Sequence, residues 1–177
     1  VENLDALRTG FGNLEKHIQS IKYYNLPIVV ALNIFETDTS AELDFVKERC
    51  ADLGVEVELS NVWAKGGEGG VDLANANKTS KPFHHLYNAI DPITTKIEKV
   101  SSIIYGANGV IYTAQARRAL KQLESKMYPV CIAKVQGSLS DDKSLLGRPT
   151  NFKITINDIK VMAGAEFVVA ITKVASC

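Results

Sequence analysis

Cysteine is scarce in this sequence: Cys50, Cys131 and Cys177 are far apart, odd in number and in no C-x-x-C pair. Their scarcity disfavours both a disulfide framework and a zinc site and fits a reducing, cytoplasmic setting. Cys50 and Cys131 read as small core hydrophobes. Net charge is missing as well, with 20 Lys and Arg against 20 Asp and Glu. A protein held to nucleic acid by bulk electrostatics needs a basic excess on at least one face, so no nucleic-acid partner is expected. Long apolar runs are absent too. The longest, 27–32, has six residues, where a membrane-spanning helix needs about 20, so no membrane partner is expected. The opening Val1-Glu2-Asn3 has neither the basic region nor the apolar stretch of a secretory signal, and it has no initiating Met.

What remains is 177 residues that are 46% hydrophobic, enough for one domain that buries about 70% of its chain's surface on folding. Leu4, Leu7, Phe11, Leu14, Ile18 and Ile21 recur at helical spacing, but Gly10 and Gly12 predict a break there or a start near Asn13. The continuous apolar stretch 27–33 reads as a strand covered on both faces. Thr39-Ser40-Ala41-Glu42 is a capping box for a helix ending at Gly54, and 55–59 alternates as a second strand. A short helix is expected at 71–76. The polar stretch 77–81 before Pro82 marks an exposed loop, with a possible sub-boundary of the single domain at 77–82.

Asp91-Pro92 predicts an N-cap with proline in the first turn, ahead of the stripe Ile93, Ile97, Val100 and Ile104 and a cap at Gly106. Thr113 opens another helix with Ala116, Leu120, Leu123 and Met127 inward. Strands are expected at 129–134, around Phe152, Ile154 and Ile156, and at 167–171, with a bulge or turn at Asn157-Asp158 where the alternation changes phase. The alternating order predicts an α/β fold: a largely parallel sheet flanked by helices, right-handed crossovers, and a hairpin-like extension at the C-terminal end. Ligands bind such sheets off the carboxyl ends of the strands, so the loops 34–38, 61–70 and 135–142 matter most.

The richest of these is 61–70. Gly66, Gly67, Gly69 and Gly70 fall between a strand and a helix, where backbone can approach a ligand and a helix N-terminus favours an anion; a tight connection would need the same glycines. Neither G-x-x-x-x-G-K-[ST] nor G-x-G-x-x-G is present. Trp63, the single tryptophan, lies in this stretch, and Phe35 follows the first strand. The two rings either face a planar ligand or cover the core edge. Lys65 is placed to pair with an anion or simply to be solvated. His84-His85 matches no metal motif, and no metal site is expected. Ser138-Leu139-Ser140-Asp141-Asp142 suits a cation, a phosphate or an ordinary turn. No G-x-S-x-G elbow appears, and no Ser, His and Asp set is identifiable by spacing.

Taken together, several stretches resemble formate–tetrahydrofolate ligase, the 10-formyltetrahydrofolate synthetase family. They are Asn13-Leu14-Glu15-Lys16-His17-Ile18, Val30-Ala31-Leu32-Asn33 with Phe35 and Thr37-Asp38-Thr39, and Val62-Trp63-Ala64-Lys65-Gly66-Gly67-Glu68-Gly69-Gly70. Further along come Ile104-Tyr105-Gly106-Ala107, Pro129-Val130-Cys131-Ile132-Ala133-Lys134, and Ser138-Leu139-Ser140-Asp141 with Gly147-Arg148-Pro149-Thr150. The resemblance implies a one-carbon ligase of P-loop-type architecture, in which formate attacks the γ-phosphate of MgATP and N10 of tetrahydrofolate then takes the formyl group from formyl phosphate. It implies that Phe35 and Trp63 sandwich the pterin, with Lys65, Gly66, Gly67 and Gly69 shaping the pocket. The family's Gly-Lys-Thr phosphate loop belongs to an N-terminal part that this sequence does not contain. ATP and Mg²⁺ are therefore expected of the whole enzyme, commonly a homotetramer, and this piece is expected to be inactive alone. Glu36, Gly137, a short 124–128 connection and the run 171–177 depart from the family pattern. A noncatalytic module for oligomer contact or regulation is the rival expectation.

Overall fold

A computed structural model describes residues 2–76, 82–134 and 136–173. These form two compact units, Val1–His84 and His85–Cys177. Of the expected 77–82 boundary and loop, 77–81 lie outside the described residues, as do Val135 of the third loop and 174–177.

The first unit opens with helix α1 (Leu4–Tyr23), capped by the Asn3 side chain, which accepts from the Ala6 amide at 3.0 Å. The helix is continuous, which corrects the break predicted at Gly10 and Gly12. Each glycine costs about 1 kcal/mol in a helix. Burial of Phe11 and Ile18, with Leu7 and Leu14 packed beside them, outweighs that at roughly 1.5–3 kcal/mol per large side chain. Opposite α1 lies helix α2 (Ser40–Asp52), whose capping box is formed as expected, with Thr39 and Glu42 each bonding the other's backbone amide. Val46 and Cys50 of α2 and Val55 complete this core.

Strands β1 (Val29–Asn33) and β2 (Glu56–Ser60), on either side of α2, pair in parallel as a two-stranded sheet. One face, with Val30, Leu32 and Val57, packs on the core, while Ala31, Asn33 and Glu56 are exposed. The expectation of cover on both faces therefore does not hold within this unit. After β2 the chain coils through helix α3 (Val62–Lys65), a 3₁₀ turn (Gly66–Gly70) and helix α4 (Val71–Asn75).

In the second unit helix α5 (Ile93–Lys99) continues as a π-helical turn, Val100–Ile104. The N-cap is Pro92, one residue later than the predicted Asp91. Asp91 instead accepts from the Asn88 amide at 3.1 Å and from Lys99 Nζ at 2.9 Å. Strand β3 (Val110–Tyr112), too short to announce itself in the sequence, leads to helix α6 (Ala114–Lys121), capped by Thr113 as expected. Met127 lies beyond the end of α6 and is 62% exposed, not inward.

Strands β4 (Val130–Ala133), β5 (Ile154–Met162) and β6 (Phe167–Thr172) join β3 in a sheet ordered β3-β5-β6-β4. Only the β5–β6 hairpin is antiparallel, and the register shifts between Ile156 and Asp158, where the bulge is predicted. The architecture is thus α/β, mostly parallel and flanked by helices, with its strands shared between two sheets rather than one. Ile97, Ala116, Ile132, Ile154, Ile156, Val168 and Ala170 form the centre of the second unit. Beside them Lys96 is fully buried, its ammonium donating to the carbonyls of Ala89 (2.6 Å), Met127 (2.9 Å) and Tyr128 (3.1 Å). Burial pushes its pKa down. Those three acceptors replace the water that such a charge loses.

Candidate functional site

The carboxyl ends of β1 and β2 bring the first two predicted loops together. Beyond β1 the Ile34 amide still donates to Ser60 O at 3.0 Å, so the ladder runs one residue past the strand. The next turn is closed by Asp38. Its carboxylate accepts from the Phe35 amide at 2.9 Å and its own amide donates to Phe35 O at 3.0 Å, which fixes the backbone that carries the ring. Beyond β2, Trp63 sits in the first turn of α3, and its indole Nε1 donates to Ile34 O at 2.8 Å. One loop thus holds the aromatic of the other. The rings of Phe35 and Trp63 lie 6.2 Å apart between centroids at an interplanar angle of 22°, and they are 57% and 61% exposed. Two large rings left this open contribute little core and instead form a face toward solvent.

The glycine stretch that follows is coiled, not open loop. Asn61 is its anchor: its amide donates to Gly69 O at 3.0 Å and its carbonyl accepts from Lys65 at 2.9 Å. A Cβ at Gly69 would stand 2.4 Å from Asn61 O, so the close approach that demands glycine there is to the chain's own backbone. Gly66 turns at φ +59, ψ −144, a conformation that side-chain-bearing residues avoid. Gly67 has open space where a side chain would be, and Lys65 is exposed beside it. The four residues of α3 and five of α4 align too few peptides for the anion site expected at a helix N-terminus.

The third predicted loop belongs to the second unit, and its polar groups are spent on itself. Ser138 Oγ accepts from the Ser140 amide and Ser140 Oγ from the Asp142 amide, both at 3.0 Å, while Asp142 takes the Ser144 amide at 2.8 Å. Asp141 accepts from the Thr155 amide at 2.8 Å, and Lys134 donates to Ser138 O and lies 5.0 Å from the Tyr105 ring centroid. Of the open readings, the turn is the one formed. His84 stacks on Tyr23 at 4.6 Å, and among the described residues no three His, Cys, Asp or Glu side chains converge as metal ligands would.

A family model for formate–tetrahydrofolate ligase matches residues 1–176, essentially the whole chain. The chain belongs to that family. Members of the formate–tetrahydrofolate ligase family are enzymes, and ATP, Mg²⁺ and tetrahydrofolate are substrates of the full ligase. Among the described residues of this chain the nucleotide finds no fit: the glycine turn lacks the P-loop pattern, its Gly69 carbonyl closes on the Asn61 amide, and no carboxylate cluster stands ready for Mg²⁺. A flat ring sandwiched between Phe35 and Trp63 would need about 7 Å between the two rings, against the 6.2 Å between their centroids here.

Sequence reasoning missed the two groups that position the rings, Asp38 and the Ile34 carbonyl. Asp38 carried a signal, an Asx residue three positions after Phe35, of the kind that closes a turn. A backbone carbonyl carries none.

Proposed function

We propose that this chain supplies the tetrahydrofolate-binding part of a ligase that makes 10-formyltetrahydrofolate from formate and tetrahydrofolate by way of formyl phosphate. The observation that carries the reading is the near-parallel Phe35–Trp63 pair, exposed at the ends of two parallel strands and hydrogen-bonded into place. The pterin stacks between the two rings, Lys65 faces its polar edge, Gly66 and Gly67 keep side chains out of the way, and Gly69 closes the turn that carries Trp63. Residues here bind and orient; none moves a phosphoryl group. The phosphate-handling groups belong to another part of the enzyme, and this chain alone turns over neither ATP nor formate. Cytoplasmic location and assembly of the whole enzyme as a homotetramer belong to the same reading.

Because Trp63 is the single tryptophan, its emission reports on the site without interference. Titration with tetrahydrofolate quenches or shifts that emission saturably. Trp63→Ala, followed by calorimetry, weakens binding roughly 10- to 100-fold, the scale of about 1–3 kcal/mol for one aromatic stacked on a planar base. An emission spectrum unmoved by millimolar tetrahydrofolate in folded protein refutes the pocket, and measurable ATP hydrolysis by the pure chain refutes its inactivity.

A further inference from the structure

The second unit holds a cavity of about 580 Å³ walled by the start of α5, by β3 and by α6. That volume falls within the roughly 300–1,000 Å³ of small-molecule sites. Ile93, Leu120 and Leu123 give it an apolar surface, and four charged side chains stand around it. Glu98 and Glu124 are carboxylates; Arg117 and Lys121 are cations. Although they share one cavity, none of the four belongs to an ion pair among the described residues. Arg117 is nonetheless held in place, since its Nε donates to Tyr112 O at 3.1 Å. Tyr112 also lines the cavity, and its buried hydroxyl has no hydrogen-bond partner among the described residues. Burial, and after it the charge of Glu98, pushes the phenol pKa far up, so the group stays a protonated donor.

We propose that this cavity binds a free α-amino acid with an apolar side chain. Two charges of each sign favour a zwitterion: a simple anion meets Glu98 and Glu124, and a simple cation meets Arg117 and Lys121. The ammonium group faces the two carboxylates, the carboxylate faces Arg117 and Lys121, and the hydrocarbon covers Ile93, Leu120 and Leu123. The site is independent of the folate reading, because it uses only residues of the second unit.

Isothermal calorimetry with L-leucine and its two half-charged analogues tests this. 4-Methylpentanoate lacks the ammonium group and isoamylamine lacks the carboxylate. Leucine is expected to saturate the protein at millimolar concentration or below, with each analogue about tenfold weaker. Glu98→Gln weakens leucine about tenfold and leaves 4-methylpentanoate unharmed, whereas Arg117→Gln weakens leucine and 4-methylpentanoate but spares isoamylamine. Both positions are exposed, so thermal midpoints stay near that of the parent protein and a loss of binding is not a loss of fold. No saturation by leucine up to about 20 mM, equal binding of the three ligands, or variants that affect both analogues alike overturns the proposal.

Discussion

Two turns leave the carboxyl ends of parallel strands, one after β2 in the first unit and one after β4 in the second, and they spend their polar atoms in opposite ways. After β4, side chains hold the backbone: Ser138, Ser140 and Asp142 bond amides of their own loop, and Ser138 and Ser140 are buried in doing so. After β2, backbone holds backbone. Asn61 and Gly69 close the turn through main-chain atoms, and Trp63 and Lys65 are left facing outward. The difference teaches where to look for a ligand. A loop whose hydroxyls and carboxylates are already satisfied has little left to offer, whereas a turn closed by main-chain atoms presents its side chains.

The comparison breaks most sharply at Gly69. Gly69→Ala sets a methyl carbon 2.4 Å from Asn61 O, and backbone on both sides leaves no flexible neighbour to yield. We expect a loss of about 3 kcal/mol or more in urea unfolding, at or above the usual overpacking range, together with loss of tetrahydrofolate binding. Gly67→Ala is the internal control: with open space at its Cβ, it changes stability by less than about 0.5 kcal/mol. Equal effects at the two positions would mean that the turn is not closed through Asn61.

In the serine loop the corresponding change is to a side chain. Ser140 is fully buried, and its hydroxyl both donates to Asp142 O at 2.8 Å and accepts from the Asp142 amide. Ser140→Ala strands both, and we expect a loss of about 1–3 kcal/mol by thermal or urea denaturation, with tetrahydrofolate affinity unchanged. A drop in affinity instead would show that the loop takes part in the folate site.

How much of this contrast was legible in the sequence follows from range. Capping by Thr39 and Thr113, the helix stop before Gly54 and the phase change at Asn157-Asp158 are local, encoded within a few residues, and each appears where the pattern puts it. The aromatic pair was legible as candidates, Phe35 and Trp63, but pattern alone leaned toward core cover over a ligand face. How the two rings are held depends on a hydrogen bond across 29 positions, from Trp63 to Ile34 O. Gly10 misled because propensity is a weak term that tertiary burial of Phe11 and Ile18 overrides. The division of the strands into two sheets was invisible, since edge and neighbour in a parallel sheet are set by long crossovers and not by composition.

The smallest expected effect separates the two turns by pH. The Ser144 hydroxyl, and then its amide, hold the Asp142 carboxyl below its ordinary value. A carboxyl whose pKa is lower folded than unfolded adds stability above its unfolded value and loses that contribution as pH falls through the folded one. The serine loop is therefore tightened at neutral pH and slackened in acid, while the main-chain closure between Asn61 and Gly69 has no proton to gain. Asp142→Asn keeps the acceptor oxygen for Ser144 and removes the titration. The parent protein should be slightly more stable than this variant above about pH 5, and the gap should close as pH falls through and below the ordinary aspartate range of about 4. Because Asp142 is exposed, the difference is small and is best read as paired urea midpoints across the pH series. A gap that stays constant with pH would assign the loop's rigidity to the two serines alone, leaving side-chain hydroxyls against main-chain closure as the whole distinction between the turns.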